Sequence, residues 1–158
     1  VKLVVRWRFW NSDKNPRRIA RAEYNRKRYR KAEPHLIKLL ENDPMDSWVL
    51  DVLSRLYMNT NRHENAIPLL RTLSGIDSNP IVTQHRLARC LSSTNSPKEA
   101  IDILNHLIER DLILEDGWEI LEKSLERLEN PDFVRLYWNK LDKLDKDIPT
   151  VKLNLIRV

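Results

Sequence analysis

Apolar residues recur along this chain in columns 34 positions apart. Ile19, Leu53, Leu87 and Leu121 form one column, and Ala32, Ala66, Ala100 and Val134 a second. Leu36, Leu70, Leu104 and Trp138 form a third, and Leu39, Leu73, Leu107 and Leu141 a fourth. A fixed period of this size marks a stack of small units, each unable to bury its apolar face alone. Within a period the spacing is helical. Trp48, Leu50, Leu53 and Tyr57 predict one amphipathic helix, Asn59-Thr60-Asn61 interrupts it, and Ala66, Leu69, Leu70 and Leu73 predict a second. Gly75 stands near the end of that second helix, where a left-handed cap is expected. Asn79-Pro80 closes the unit and Asp43-Pro44 closes the one before it. Pro97 and Pro131, one period apart, suit the first position of a helix, where the missing N–H costs nothing.

The columns also assign roles. Small residues (Ala20, Ser54 and Ala88; Ala32, Ala66 and Ala100) let helices approach closely, and leucines fill the space between. These positions are read as packing, with no direct part in binding.

The pattern resembles the tetratricopeptide repeat. The resemblance rests on Leu50, Leu53, Ser54, Tyr57, Ala66, Leu70 and Leu73 in the second copy. Leu87, Ala88, Leu91, Ala100 and Leu104 carry it in the third, and Trp118, Leu121 and Leu125 in the fourth. In the first copy Ile19, Ala20, Ala32, Leu36, Leu39 and Pro44 fit, while Glu23 stands in the tyrosine column. The fourth copy departs at Glu122 and Val134. Terminal copies of a repeat array are expected to be atypical. Related helical repeats of similar length, the half-a-TPR kind among them, share the period. The resemblance implies an all-α fold, a right-handed superhelical solenoid of antiparallel helix pairs, with copies at 13–46, 47–80, 81–114 and 115–146. It also implies that the first helices line a concave groove that takes a protein or peptide partner.

One polar column shares the register: Arg21, Arg55, Arg89 and Lys123. A cationic ladder of this kind suits an acidic or extended partner segment. Asp51 precedes Arg55 and Glu119 precedes Lys123 by four residues, so copies two and four have acids placed to pair with their own cations. Arg21 follows Arg17 and Arg18, and Arg89 follows His85 and Arg86, so copies one and three are expected to keep theirs free. Asn25 and Asn59 form a second pair in register, suited to reading a peptide backbone or to ending a helix. Arginine stands where the family's carboxylate clamp would need its first asparagine, which argues against capture of a chaperone tail.

Charge sharpens the asymmetry. The net charge is +5, but residues 1–31 hold twelve Lys or Arg against two acids, and the remainder sums to −5. A basic end attracts anionic partners. The stretch Arg26-Lys27-Arg28-Tyr29-Arg30-Lys31 opens alternatives, nucleic acid or an anionic membrane surface, beside the plain reading of a turn with Tyr29 packed locally.

The ends read differently. Residues 1–12 form an aromatic and basic segment in which Val1, Leu3, Val5, Trp7 and Phe9 alternate as in a strand; 147–158 read as a tail or a link to another domain, with residues 151–158 also β-prone. Trp7, Phe9 and Trp10 are expected to pack on the first repeat or on another domain. The chain begins at Val1, which reads as an excerpt of something longer. That leaves open an accessory domain of a larger enzyme, such as a glycosyltransferase, with a fused catalytic domain. In the chain itself no paired carboxylates, phosphate-binding glycine loop or zinc spacing is evident, and His35, His63, His85 and His106 share no ligand spacing. The expectation is a non-catalytic scaffold or adaptor without cofactor or metal. One cysteine, Cys90, suits a reducing, cytoplasmic setting and a buried thiol.

Overall fold

The computed structural model describes residues 15–142, with side chains to 139. The strand-like ends, Trp7, Phe9 and Trp10 among them, lie outside the described residues, as does the side chain of Leu141. The described residues form eight helices: α1 (Pro16–Asn25), α2 (Tyr29–Asn42), α3 (Ser47–Asn59), α4 (His63–Ile76), α5 (Ile81–Ser93), α6 (Pro97–Glu109), α7 (Glu115–Glu126) and α8 (Pro131–Asp142). The second helix of each pair begins at Tyr29, His63, Pro97 and Pro131, so the sequence period is the structural period. The fold is all-α and built of helix pairs, as the columns predict.

Local chemistry sets the helix ends. Asn15 caps α1, its Oδ1 accepting from the Arg17 N–H at 3.0 Å, and Pro16 opens the helix. Asp46 caps α3 by accepting from the N–H groups of Trp48 and Val49 at 3.1 and 3.2 Å. Pro97 and Pro131 both open their helices, and Asn130 caps α8 by accepting from the Phe133 N–H at 3.0 Å.

Gly75 differs from expectation. It lies inside α4, and no glycine adopts a positive φ among the described residues. The left-handed positions fall instead on Lys27, Asn61, Asp111 and Glu129. Lys27, Asn61 and Glu129 share one register, in the turn between the two helices of a pair. Asp111 instead follows the second helix of the third pair, so the left-handed residue falls in the turn of the first, second and fourth pairs and at the end of the third.

The chain divides at Ser78/Asn79 into two compact units. In the first, α1 packs on α2, α2 on α3, and α3 on α4. Ala20, Ala32, Leu36, Ser54, Ala66 and Leu70 are fully buried there, so most of the predicted columns form its core, while Ile19 and Leu39 of the first copy are half-buried. The buried Ser54 hydroxyl donates to the Asp51 carbonyl at 3.0 Å, which satisfies it within its own helix. A charged knot fixes the second pair on the first. Arg62 grips the Glu33 carboxylate through two hydrogen bonds of 2.8 and 2.9 Å, and its guanidinium lies 4.6 Å from the Tyr57 ring centre.

In the second unit α5 packs on α6 and α7, and α6 on α7. Ala88, Ala100, Leu104, Leu107 and Leu121 are fully buried, and Trp138 of α8 closes its column. Cys90 is buried, and burial pushes its thiol up to about 11, as befits a packing residue. Gly117 is required by a close approach: a Cβ there would stand 2.5 Å from Cε1 of His85.

Candidate functional site

The first unit brings Arg21, Asn25 and Arg55 together. With Tyr24, Trp48 and Val52 they line a cavity of about 220 Å³ between α1 and α3. The helical spacing explains the set: Arg21, Tyr24 and Asn25 lie on one face of α1, and Trp48, Val52 and Arg55 on one face of α3.

Aromatic rings fix the guanidinium groups. The Arg21 guanidinium carbon lies 5.2 Å from the Trp48 ring centre, with Arg17 over the same ring at 4.6 Å. Arg55 lies 5.7 Å from the Tyr24 ring. A cation over a ring at this distance is worth roughly 0.5–1 kcal/mol at an exposed site.

The acids are distributed unevenly. Asp51 pairs with Arg55 within α3, as the four-residue spacing predicts. Asp46, besides capping α3, takes Arg17 through two hydrogen bonds of 2.9 and 3.2 Å. Arg21 has no acidic partner among the described residues and is exposed. Arg18 is exposed on the same helix. Arg21 is therefore the ladder cation that stays available, held over an indole and facing a cavity.

Asn25 and Asn59 are the last residues of α1 and α3, which fits the helix-ending role. Asn25 still lines the cavity, whereas the Asn59 amide donates to the Tyr29 hydroxyl at 3.3 Å. Tyr29 also lies 5.6 Å from the Tyr24 ring, so it packs locally. Arg26 and Arg28 approach Glu23 at 3.5 and 3.9 Å.

The second unit gives its predicted residues other surroundings. Lys123 pairs with Glu119 within α7, as expected. Arg89, expected to be free, pairs with Asp116. The search for an acid four residues earlier missed it, because Asp116 belongs to the following repeat. His85 is 3 % exposed and faces inward: its Nε2 accepts from the Leu114 N–H at 3.0 Å, at the start of α7. Burial holds its pKa below the ordinary histidine value, against the opposing pull of Asp116 3.8 Å away. Arg86 is half-buried on the same helix.

Sequence reasoning overlooked Trp48, Tyr24 and Val52 as site residues. Trp48 carried a signal: its register position elsewhere holds Lys14, Val82 and Asp116, which is not an apolar column. A tryptophan off the packing columns is free for another task.

Known proteins agree with this architecture. Residues 49–80 match the family model described as a tetratricopeptide repeat. Over 125 residues the chain is 28% identical to the beta-barrel assembly-enhancing protease of Escherichia coli (strain K12), covering 75% of this chain and 26% of the relative. The protein of the same name from Shigella flexneri matches equally. The chain thus spans about a quarter of the length of the curated relatives it matches. The crystal structure of MamA protein superposes with a TM-score of 0.67 at 18% identity, over 82% of this chain and 71% of that one, which shows a shared fold. Repeat and fold together support a protein-interaction scaffold in general terms.

Proposed function

Since residues 49–80 match a tetratricopeptide repeat and the helix pairs keep its period, we propose that the chain is a scaffold or adaptor that takes an acidic, extended segment of a partner protein on the α1/α3 face of its first unit. One observation carries this reading: Arg21 lines the cavity with no acid on it among the described residues, its guanidinium carbon 5.2 Å from the Trp48 ring centre and beside Arg55 and Asn25. A fixed, unneutralised guanidinium binds a carboxylate at low entropic cost. Asn25 lines the same cavity and offers both a donor and an acceptor to a partner backbone. The test is capture by the immobilised chain beside its Arg21→Glu variant. A partner retained by the wild type, released by the variant and contacting through an acidic segment supports the reading. Identical capture by both refutes it.

A second reading has its own support. The matched relatives are proteases of which the chain spans about a quarter, so the module would belong to a larger enzyme and hold its substrate or its catalytic domain. These relatives favour a protease over the glycosyltransferase envisaged from sequence. Nucleic acid and an anionic membrane surface are the weaker proposals, since Tyr29 is engaged with Tyr24 and Asn59. A cytoplasmic setting rests on the cysteine count alone and is proposed as such. The reading of the complete gene distinguishes a free adaptor from an enzyme module.

A further inference from the structure

The acidic-segment reading above leaves open which anion the seat prefers, and the inference here rests on that reading. The cavity is lined by two guanidinium groups, Arg21 and Arg55. One carboxylate is already on them: Asp51, on Arg55. The second nearby pair, Arg17 with Asp46, closes on itself. Among the described residues, Arg21, Arg55 and Asp51 therefore sum to one positive charge. The walls of the seat are Trp48 and Tyr24, half-buried, and Val52, buried, so charges in it are screened less than on an open surface.

We propose that the seat is matched to a single carboxylate, the side chain of an internal Glu or Asp, and that Asp51 sets this limit by excluding a dianion such as a phosphorylated residue. A carboxylate entering beside Arg21 brings the local charge to zero. Its two oxygens suit the fork of the Arg21 guanidinium, whose carbon lies 5.2 Å from the Trp48 ring centre. A phosphate dianion would bring the charge to −1, with Asp51 close by on Arg55. Asp51 thus acts as an internal occupant of the second cation and determines specificity by repulsion.

The charge count makes the proposal testable by substitution. The probes are N-acetyl-glutamate methylamide, the glutamine analogue and N-acetyl-phosphoserine methylamide, at pH 7.5. They are titrated into the full chain while the Nε–H signals of Arg21 and Arg55 and the indole N–H of Trp48 are followed by NMR. The glutamate probe shifts Arg21 and Trp48 saturably, the glutamine probe does not, and the phosphoserine probe binds more weakly than glutamate. Asp51→Asn strengthens the phosphoserine probe by about tenfold and reverses the order. Arg55→Gln brings the seat to zero charge and loses the glutamate probe. The double variant Asp51→Asn/Arg55→Gln returns the seat to +1 and regains it.

A double variant no better than Arg55→Gln overturns the proposal. So does a wild-type preference for phosphoserine, or a glutamate response that does not centre on Arg21 and Trp48. Capture of a partner that depends on Arg21 but not on the charge at position 51 also overturns it, while leaving the proposed function intact.

Discussion

Arg89 reaches Asp116, 27 residues on in the next repeat, while Arg21 reaches Trp48 across the same interval. The two arginines occupy one register position, and the residue 27 further along decides their fate. A carboxylate there neutralises the cation; an indole there holds it in place and leaves its charge intact. The same geometric relationship makes Arg89 a structural side chain and Arg21 a candidate binding group.

That relationship predicts opposite outcomes for two substitutions, one in each unit. Arg89→Ala leaves partner capture unchanged and lowers stability by about 0–1 kcal/mol, the usual value of an exposed pair. Trp48→Asp copies the second unit's arrangement into the first, neutralises Arg21 and abolishes capture. Capture assays on the two variants, with urea midpoints as the stability control, check both.

The Glu33–Arg62 knot ties α2 to the turn before α4 in the first unit. Glu33→Gln is expected to cost about 1–2 kcal/mol, a charge-assisted interaction discounted for the half-exposed guanidinium. Arg62 holds the Glu33 carboxyl below its ordinary pKa. Its contribution is therefore complete above the unfolded value near ~4.3, and disappears as pH falls through the folded value. The difference in urea midpoint between wild type and variant, measured from pH 7 down to pH 3, should shrink only at the acid end.

The second unit has a pH response of the opposite origin. His85 is neutral when its Nε2 accepts from Leu114, and burial lowers its pKa. A depressed histidine pKa gives stability that is complete above the unfolded value of ~6.5 and is lost as pH falls below it. His85→Gln should flatten the part of the stability curve that lies just below pH 6.5. Gly117→Ala should cost about 1–3 kcal/mol at any pH, since the new Cβ would meet the ring and has no room.

Gly75 offers the converse case. It sits in a helix, and nothing lies within 4 Å of where its Cβ would be. Gly75→Ala should raise stability by about 0.5–1 kcal/mol, the ordinary gain for alanine over glycine in a helix. Thermal melts monitored by circular dichroism suffice; a loss would mean that the position needs glycine for a reason other than helix propensity.

The helix pairs were legible because packing is repetitive: Leu36, Leu70 and Leu104 recur where their neighbours recur. The prolines at 97 and 131 and the caps at Asn15 and Asp46 follow from local chemistry and were equally accessible or nearly so. The left-handed turn residues were less so. Asn61 is a natural left-handed residue, but Lys27 and Glu129 carry no such signal, and their φ is imposed by the turn. The site was half legible. Arg21, Asn25 and Arg55 stood out by register, and Asp51 by its four-residue spacing. The state of Arg89 and the use of Trp48 depend on contacts 27 residues apart, between consecutive repeats. A search along one helix cannot see them.

The central claim is that the α1/α3 face of the first unit, around Arg21 and Trp48, receives the partner. Hydrogen–deuterium exchange of the chain with and without its captured partner tests it most directly. Protection concentrated in Pro16–Asn25 and Ser47–Asn59, and absent with Arg21→Glu, is the predicted result. Protection confined to α2, α4 or the second unit, with α1 and α3 unchanged, would contradict the account.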